Sequence, residues 1–222
     1  MTARRLVQPF HALIAVAAVL VGLGIVAIGL TVWGLRSDAI RVAVRDSENI
    51  AVLVGDQVAR SLEPLVDVLD EIRERAAALP MQRAEEFREW FGSEAMFRLL
   101  SDRIAWIPPG VALTITDSRG DLVNTSRAWP PFALNLADRD YFRHLVSNAT
   151  AALYVSAPVE SRLTGETTLI FAKRIVDRRG EFLGVVAAAF DLPQVERVWR
   201  PIAELDGRTF VMLRRDGTVL VR

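Results

Sequence analysis

Charge disappears from residues 12–35, a run of 24 residues whose one polar side chain is Thr31. As a helix it extends roughly 36 Å at about 1.5 Å per residue, enough to cross a hydrocarbon core of about 30 Å. Trp33 stands near one end, where an amphipathic ring suits the interface. The run exceeds the apolar core of a cleavable signal peptide, and Trp33, Gly34, Leu35 and Arg36 offer no small-residue cleavage site. The pattern predicts an uncleaved transmembrane helix.

From residue 38 to 80 the apolar positions recur alternately four and three apart. The series is Ile40, Val44, Ser47, Ala51, Val54, Val58, Ser61, Leu65, Val68, Ile72, Arg75 and Leu79, with nine of twelve apolar. This is a helical seam. Pro64 predicts a kink or junction within it, and Pro80 its end. The seam fits pairing with a second copy of the chain. The additional apolar residues Ile50, Leu53, Leu62 and Leu69 fit packing on the helix's own domain. Two shorter helical pieces follow in residues 84–107, before Pro108, Pro109 and Gly110 stop helix formation.

Beyond Gly110 the period shortens to that of strands. Residues 111–116 and 122–125 flank Asp117, Ser118, Arg119 and Gly120; residues 167–175 and 182–189 flank Asp177, Arg178, Arg179 and Gly180. A third pair, 209–213 and 218–221, flanks Arg214, Arg215, Asp216 and Gly217. Each is a β-branched run, a glycine-bearing turn and a second run, which predicts three hairpins. A further strand is expected at 153–157. A short helix is expected from Asp138, with Asp138 as its N-cap, and another at 193–206. The order predicts an α+β fold: a central antiparallel sheet, the long helix across one face, and a ligand pocket on the other.

Composition narrows the function. Lys+Arg and Asp+Glu are 27 each, so no net field favours nucleic acid. There is no cysteine, and the two histidines, His11 and His144, lie far apart in sequence. No catalytic triad, metal cluster or phosphate loop stands out, and no cofactor is implied. Polar residues in the pocket region form the candidate ligand set: Arg139, Tyr141, Tyr154, Ser156, Arg162, Lys173 and Asp191. The arginines can grip a carboxylate with two parallel hydrogen bonds, which points to a small anion.

The run Asp138 to Phe142, then Tyr154 to Val159, Thr164-Gly165, Lys173 to Val176 and Gly180 to Val186, resembles a double-Cache sensor domain. Cache domains are PAS-like extracytoplasmic input modules of bacterial transmembrane receptors. The resemblance spans residue 38 to the end. It implies small-molecule sensing outside the inner membrane and no catalysis in this chain. The output would be a histidine kinase, a diguanylate cyclase or a chemoreceptor domain. It also implies a cytoplasmic tail at 1–11, a transmembrane helix at 12–35, a stalk helix at 38–80 that forms a homodimer, and a membrane-distal module at 81–192. A connecting helix at 193–206 and the first hairpin of a second, incomplete module at 207–222 complete the plan. On this reading the chain is a fragment or truncated product, and residues 207–222 are expected to be weakly anchored. The rival reading is a membrane-anchored structural domain that binds a protein. In the amino-acid-binding branch of the family an aspartate in the final strand takes the ligand amine. Ala189 stands at the matching position here, which puts amino-acid sensing in doubt.

Overall fold

The computed structural model describes residues 7–81, 83–105, 107, 110–193 and 211–221. The helix expected at 193–206 lies outside them except for its first residue. The chain divides into two compact units, Met1–Arg60 and Ser61–Arg222. Helix α1, Val7–Ala78, contributes to both.

In the first unit α1 carries the apolar run, and Leu13 and the large side chains from Val16 to Leu35 are exposed all around it. Thr31 Oγ1 donates to the Ala27 carbonyl at 2.8 Å, so its hydroxyl is satisfied without leaving the helix. The ion pairs Arg41–Asp38 and Arg60–Asp56 are exposed and contribute little to stability.

In the second unit α1 runs unbroken through Pro64, where a kink or junction was expected. The proline removes one donor, and the boundary between the units falls one turn earlier, between Arg60 and Ser61. The helix ends at Ala78, two residues before Pro80. Arg178 reaches its last carbonyls: Nε donates to Ala77 O at 3.2 Å and Nη2 to Ala78 O. That satisfies acceptors which a helix end leaves open. Helices α2, Ala84–Phe91, and α3, Glu94–Ile104, follow, with Ser93 capping α3 by accepting from Met96 N.

Six strands form the main sheet: β1 Val111–Asp117, β2 Leu122–Thr125, β3 Tyr154–Val155, β4 Val159–Glu160, β5 Thr167–Val176 and β6 Phe182–Asp191. Their order is β2-β1-β6-β5-β3, all antiparallel, with β4 also paired to β5. The first two expected hairpins are present and join edge to edge through β1 and β6. Their turns repeat one device. Asp117 Oδ1 accepts from Arg119 N and Asp121 N, as Asp177 Oδ1 does from Arg179 N and Glu181 N. Gly120 and Gly180 close the two turns at φ of 81° and 85°, a region that favours glycine. Gly184 allows the β1–β6 approach, since a Cβ there would lie 1.9 Å from the Thr116 carbonyl oxygen.

Alternation sends the two faces of the sheet into separate cores. Leu113, Ile115, Val186, Phe171 and Ile175 pack with Leu65, Leu69, Ile72 and Ala76 of α1, and with Phe87, Phe91 and Leu100. Ala112, Ile170, Ala172, Val185 and Ala187 pack with Tyr141, Phe142 and Leu145 of helix α4. Helix α4 is Asp140–Ser147, and its N-cap is Arg139 with no side-chain cap bond. The expected cap, Asp138, is held elsewhere: Arg162 binds it with two hydrogen bonds, at 2.8 and 2.6 Å. The pair gives this carboxylate two charge-assisted bonds in place of the one a cap makes. Strands β7, Met212–Leu213, and β8, Val219–Val221, form the third hairpin as a separate two-stranded sheet. This segment was expected to be weakly anchored. Instead Leu220 is buried in the α1-side core, and Arg214 Nη1 donates to Val155 O at 2.9 Å.

Leu69→Ala removes a fully buried side chain between α1 and the sheet and is expected to cost about 2–5 kcal/mol in urea unfolding. Val146→Ala, on the exposed side of α4, is expected to stay within about 0.5 kcal/mol. Arg103 of α3 and Arg75 both donate to Glu71 of α1, and chiefly the Arg103 bonds lower its pKa from 4.5 to about 2. A lowered folded-state pKa gives stability that is present above about pH 4.5 and lost as pH falls toward about 2. The stability advantage of the wild type over Glu71→Gln is therefore expected to shrink between pH 5 and pH 3, read from unfolding midpoints.

Candidate ligand site

The cavity lies on the α4 side of the sheet. Its floor is Thr114 of β1, Ala187 and Ala189 of β6, and Thr168 and Ile170 of β5. These are alternate positions on paired strands, so their side chains rise from one face. The alanines leave space that larger residues would fill. Its roof is Leu136, Arg139 and Tyr141 leading into α4, together with residues 159–163. The volume is about 30 Å³, room for roughly one water molecule.

Most polar groups around it are already engaged. The Thr114 hydroxyl donates to Ala187 O and the Thr168 hydroxyl to Val159 O. Arg139 Nη2 donates to Glu160 O at 3.1 Å, and Arg162 Nη1 donates to Asn135 O in addition to its pair with Asp138. These bonds tie the approach to α4 to the 159–163 loop across the cavity. The Arg162 hydrogen bonds hold the Asp138 carboxyl below the usual range. Two groups differ. Arg139 forms no ion pair among the described residues; its hydrogen bond to Glu160 goes to the backbone. Tyr141 is buried, and its hydroxyl has no hydrogen-bond partner among the described residues. Burial pushes that phenol's pKa far upward, so it stays a protonated donor.

Of the seven residues singled out in the sequence, Arg139, Tyr141 and Arg162 meet at this cavity. The other four do not line it. The Tyr154 hydroxyl donates to Asp140 Oδ2 at 3.0 Å, and its ring lies 4.6 Å from that of His144. Ser156 is fully buried; its Oγ accepts from Ile170 N at 3.0 Å and donates to Ala157 O, continuing the ladder where β3 leaves β5. Lys173 points to the opposite face, because strand alternation gives the cavity side to Ile170 and Ala172. Its Nζ donates to Asp70 Oδ2 of α1 at 2.6 Å. Asp191 ends β6 on the same face as Ala189 but beyond the cavity. Its Oδ2 accepts from Arg127 at 3.2 Å, and its buried Oδ1 has no partner among the described residues. The helix it was expected to cap lies outside the described residues.

The threonines and alanines of the floor and the rest of the 159–163 loop around Arg162 were not singled out as ligand contacts in the sequence, although Ala189 was noted. The run Ala187, Ala188 and Ala189 in a buried strand was the available signal, since small residues at a core position imply space. Ala189, where the amino-acid-binding branch carries its aspartate, does line the cavity. Among the described residues there is no cluster of three or more His, Asp or Glu able to hold a metal ion.

No protein-family model and no curated protein matches the chain. Solved structures do. The extracellular domain of rpHK1S-Z16, described as a histidine kinase, matches with a TM-score of 0.55 at 23% identity, over 65% of this chain and 56% of that one. The ligand-binding domain of the Pseudomonas aeruginosa amino-acid chemoreceptor PctC, in complex with GABA, gives 0.54 at 16% identity, over 78% and 73%. That of the Pseudomonas fluorescens chemoreceptor CtaA, with L-serine, gives 0.51 at 17% identity, over 75% and 66%. The chain thus spans little more than half of the first of these and about two thirds of the third. The sheet, its turns and the helices on its two faces have the fold of the Cache-type ligand-binding domains of histidine kinases and chemoreceptors.

Proposed function

We propose that this chain is the small-molecule-sensing input region of a membrane-bound signal-transduction receptor. The observation that carries the reading is the Tyr141 hydroxyl, which has no hydrogen-bond partner among the described residues and lines, with the Arg139 guanidinium, a cavity of this fold. Such a hydroxyl is free to donate to a ligand that enters the cavity.

The charge pattern favours a small carboxylate or similar anion. Arg139 forms no ion pair among the described residues, Ala187 and Ala189 of the floor offer no carboxylate to receive an ammonium group, and the one carboxylate in the lining, that of Glu160, is exposed. PctC in complex with GABA and CtaA in complex with L-serine have ligands that carry both charges. The cavity is too small for a metabolite as it stands, so binding requires the roof to lift. The bonds that must rearrange are Arg162–Asp138, Arg162 to Asn135 O and Arg139 to Glu160 O.

Residues 12–35 serve as the membrane anchor on this reading. The apolar window carries a mean hydropathy of 2.4, and none of it is buried against protein. Lipid is the medium that covers such a surface without cost. Residues 1–11 lie on the cytoplasmic side, and 38–80 form the stalk, whose membrane-near half pairs two copies through the seam at Val44, Ala51 and Val54. The 81–192 module senses, and the 207–222 hairpin begins a second module. The output lies in a separate domain of kinase, cyclase or chemoreceptor type.

The chain, solubilised in detergent, is to be screened for thermal stabilisation by small monocarboxylates, dicarboxylates, amino acids and amines. A carboxylate at 100 times its Kd is expected to stabilise the folded form by about 2.7 kcal/mol. Arg139→Ala is expected to weaken binding about 10- to 100-fold, and Tyr141→Phe about 3- to 10-fold. If no compound in the panel raises the melting temperature, the sensing reading fails and the protein-binding alternative gains.

Topology has its own check. The chain has no cysteine, so Ser118→Cys, in the exposed β1–β2 turn, introduces a single thiol. A membrane-impermeant maleimide is expected to label it in intact cells from which any outer membrane has been permeabilised. Labelling only after lysis would place the sheet in the cytosol.

A further inference from the structure

Strand β5 shows one face to the cavity and the other to α1. Two consecutive residues on it hold the helices on both sides. Lys173 is the chain's single lysine and is buried. Its Nζ donates to Asp70 Oδ2 at 2.6 Å, and Arg73 Nη1 donates to Asp70 Oδ1 at 2.8 Å. Arg73 Nε in turn donates to the Arg174 carbonyl at 3.0 Å. Asp70, Arg73, Arg174 and Lys173 therefore close a ring between α1 and β5. The Arg174 side chain leaves on the opposite face. Its Nη1 donates to Leu145 O at 2.9 Å and Val146 O at 3.2 Å, carbonyls in the last turn of α4. Its guanidinium carbon lies 4.7 Å from the centroid of the Phe182 ring. One turn back along α4 from Leu145 stands Tyr141, in the cavity roof.

We propose that Lys173 and Arg174 form the transmission node of the sensor, coupling the position of α4 over the cavity to that of α1 on the far face of the sheet. A displacement of α4 moves the Arg174 side chain, and with it β5. The Asp70–Lys173 and Arg73–Arg174 bonds pass the movement to α1. The remaining contacts on both faces are largely apolar and lack directional preference. Charge-assisted hydrogen bonds are directional, and breaking the Lys173–Asp70 pair leaves a buried ammonium uncompensated. The strand can carry the load because β6 pairs along one edge and β3 and β4 along the other. Arg178 offers a built-in contrast, because its side-chain hydrogen bonds reach the end of α1 and make none to α4.

The node rests on the sensing reading only for what moves α4; the mechanical coupling is testable without any ligand. In the full chain, Arg174→Met removes both bonds to α4 and retains an apolar stem against Phe182. Amide hydrogen exchange is expected to accelerate at least threefold in the last turn of α4 and also in residues 70–78 of α1. Arg178→Met is expected to accelerate exchange only at the end of α1. A double-mutant cycle of Arg174→Met with Asp70→Asn is expected to depart at least threefold from the product of the single effects on the unfolding equilibrium. Acceleration confined to α4, or single effects that simply multiply, would overturn the node. If Arg174→Met does not fold, Arg174→Lys, which keeps the charge but cannot span both carbonyls in the same geometry, gives the same two readings at smaller amplitude. A failed ligand screen leaves these outcomes unchanged, so the two proposals fall separately.

Discussion

The fold depends on a sheet that is buried on both faces. All seven residues of β1 are buried, as are seven of the ten in β6. Neither face can meet water, so each needs its own cover, and two helices of different character supply it. The last five turns of α1 bring leucine, isoleucine and valine to one side, with α2 and α3 filling around them. Helix α4 is only eight residues long and covers the other side incompletely. The cavity occupies the space it leaves. The same constraint that makes the sheet a good core thus leaves open space on its thinly covered face.

Polar groups in this arrangement sit at junctions between layers. Glu71 with Arg103 joins α1 to α3, Lys173 with Asp70 joins β5 to α1, and Arg174 joins β5 to α4. Arg88 joins α2 to the β1–β2 turn through Asp117 and Asp121. Apolar packing sets how tightly the layers press together, and these pairs set their register. Arginine dominates because its planar fork can reach two acceptors at once, as it does at Asp138 and at the end of α1.

Much of the fold was legible because local signals agreed. The charge-free run, the helical seam, the two aspartate-glycine turns and the pairs of β-branched runs each fixed an element without reference to the rest. What sequence could not give was pairing between distant elements. That β1 lies beside β6, and that Leu220 enters the α1-side core, are matters of tertiary packing. The N-cap at Asp138 failed for the same reason: a local preference lost to Arg162, twenty-four residues away. The site divided likewise. Arg139, Tyr141 and Arg162 lie where a short helix and a nearby loop converge, which sequence order roughly locates. Lys173 and Ser156 required the strand's phase, and the resemblance marked them as a region without saying which face each side chain takes. The alanine floor was the hardest to see, because its contribution is space rather than a functional group.

That floor has a consequence for selectivity. The width of the cavity is set largely by the methyl side chains of Ala187 and Ala189, alternate residues of a strand paired on both edges, so exchanging one of them for valine or serine alters its size or polarity while leaving the backbone ladder intact. On the sensing reading proposed above, single substitutions on β6 would change what the cavity accepts with no need to rebuild the helices around it.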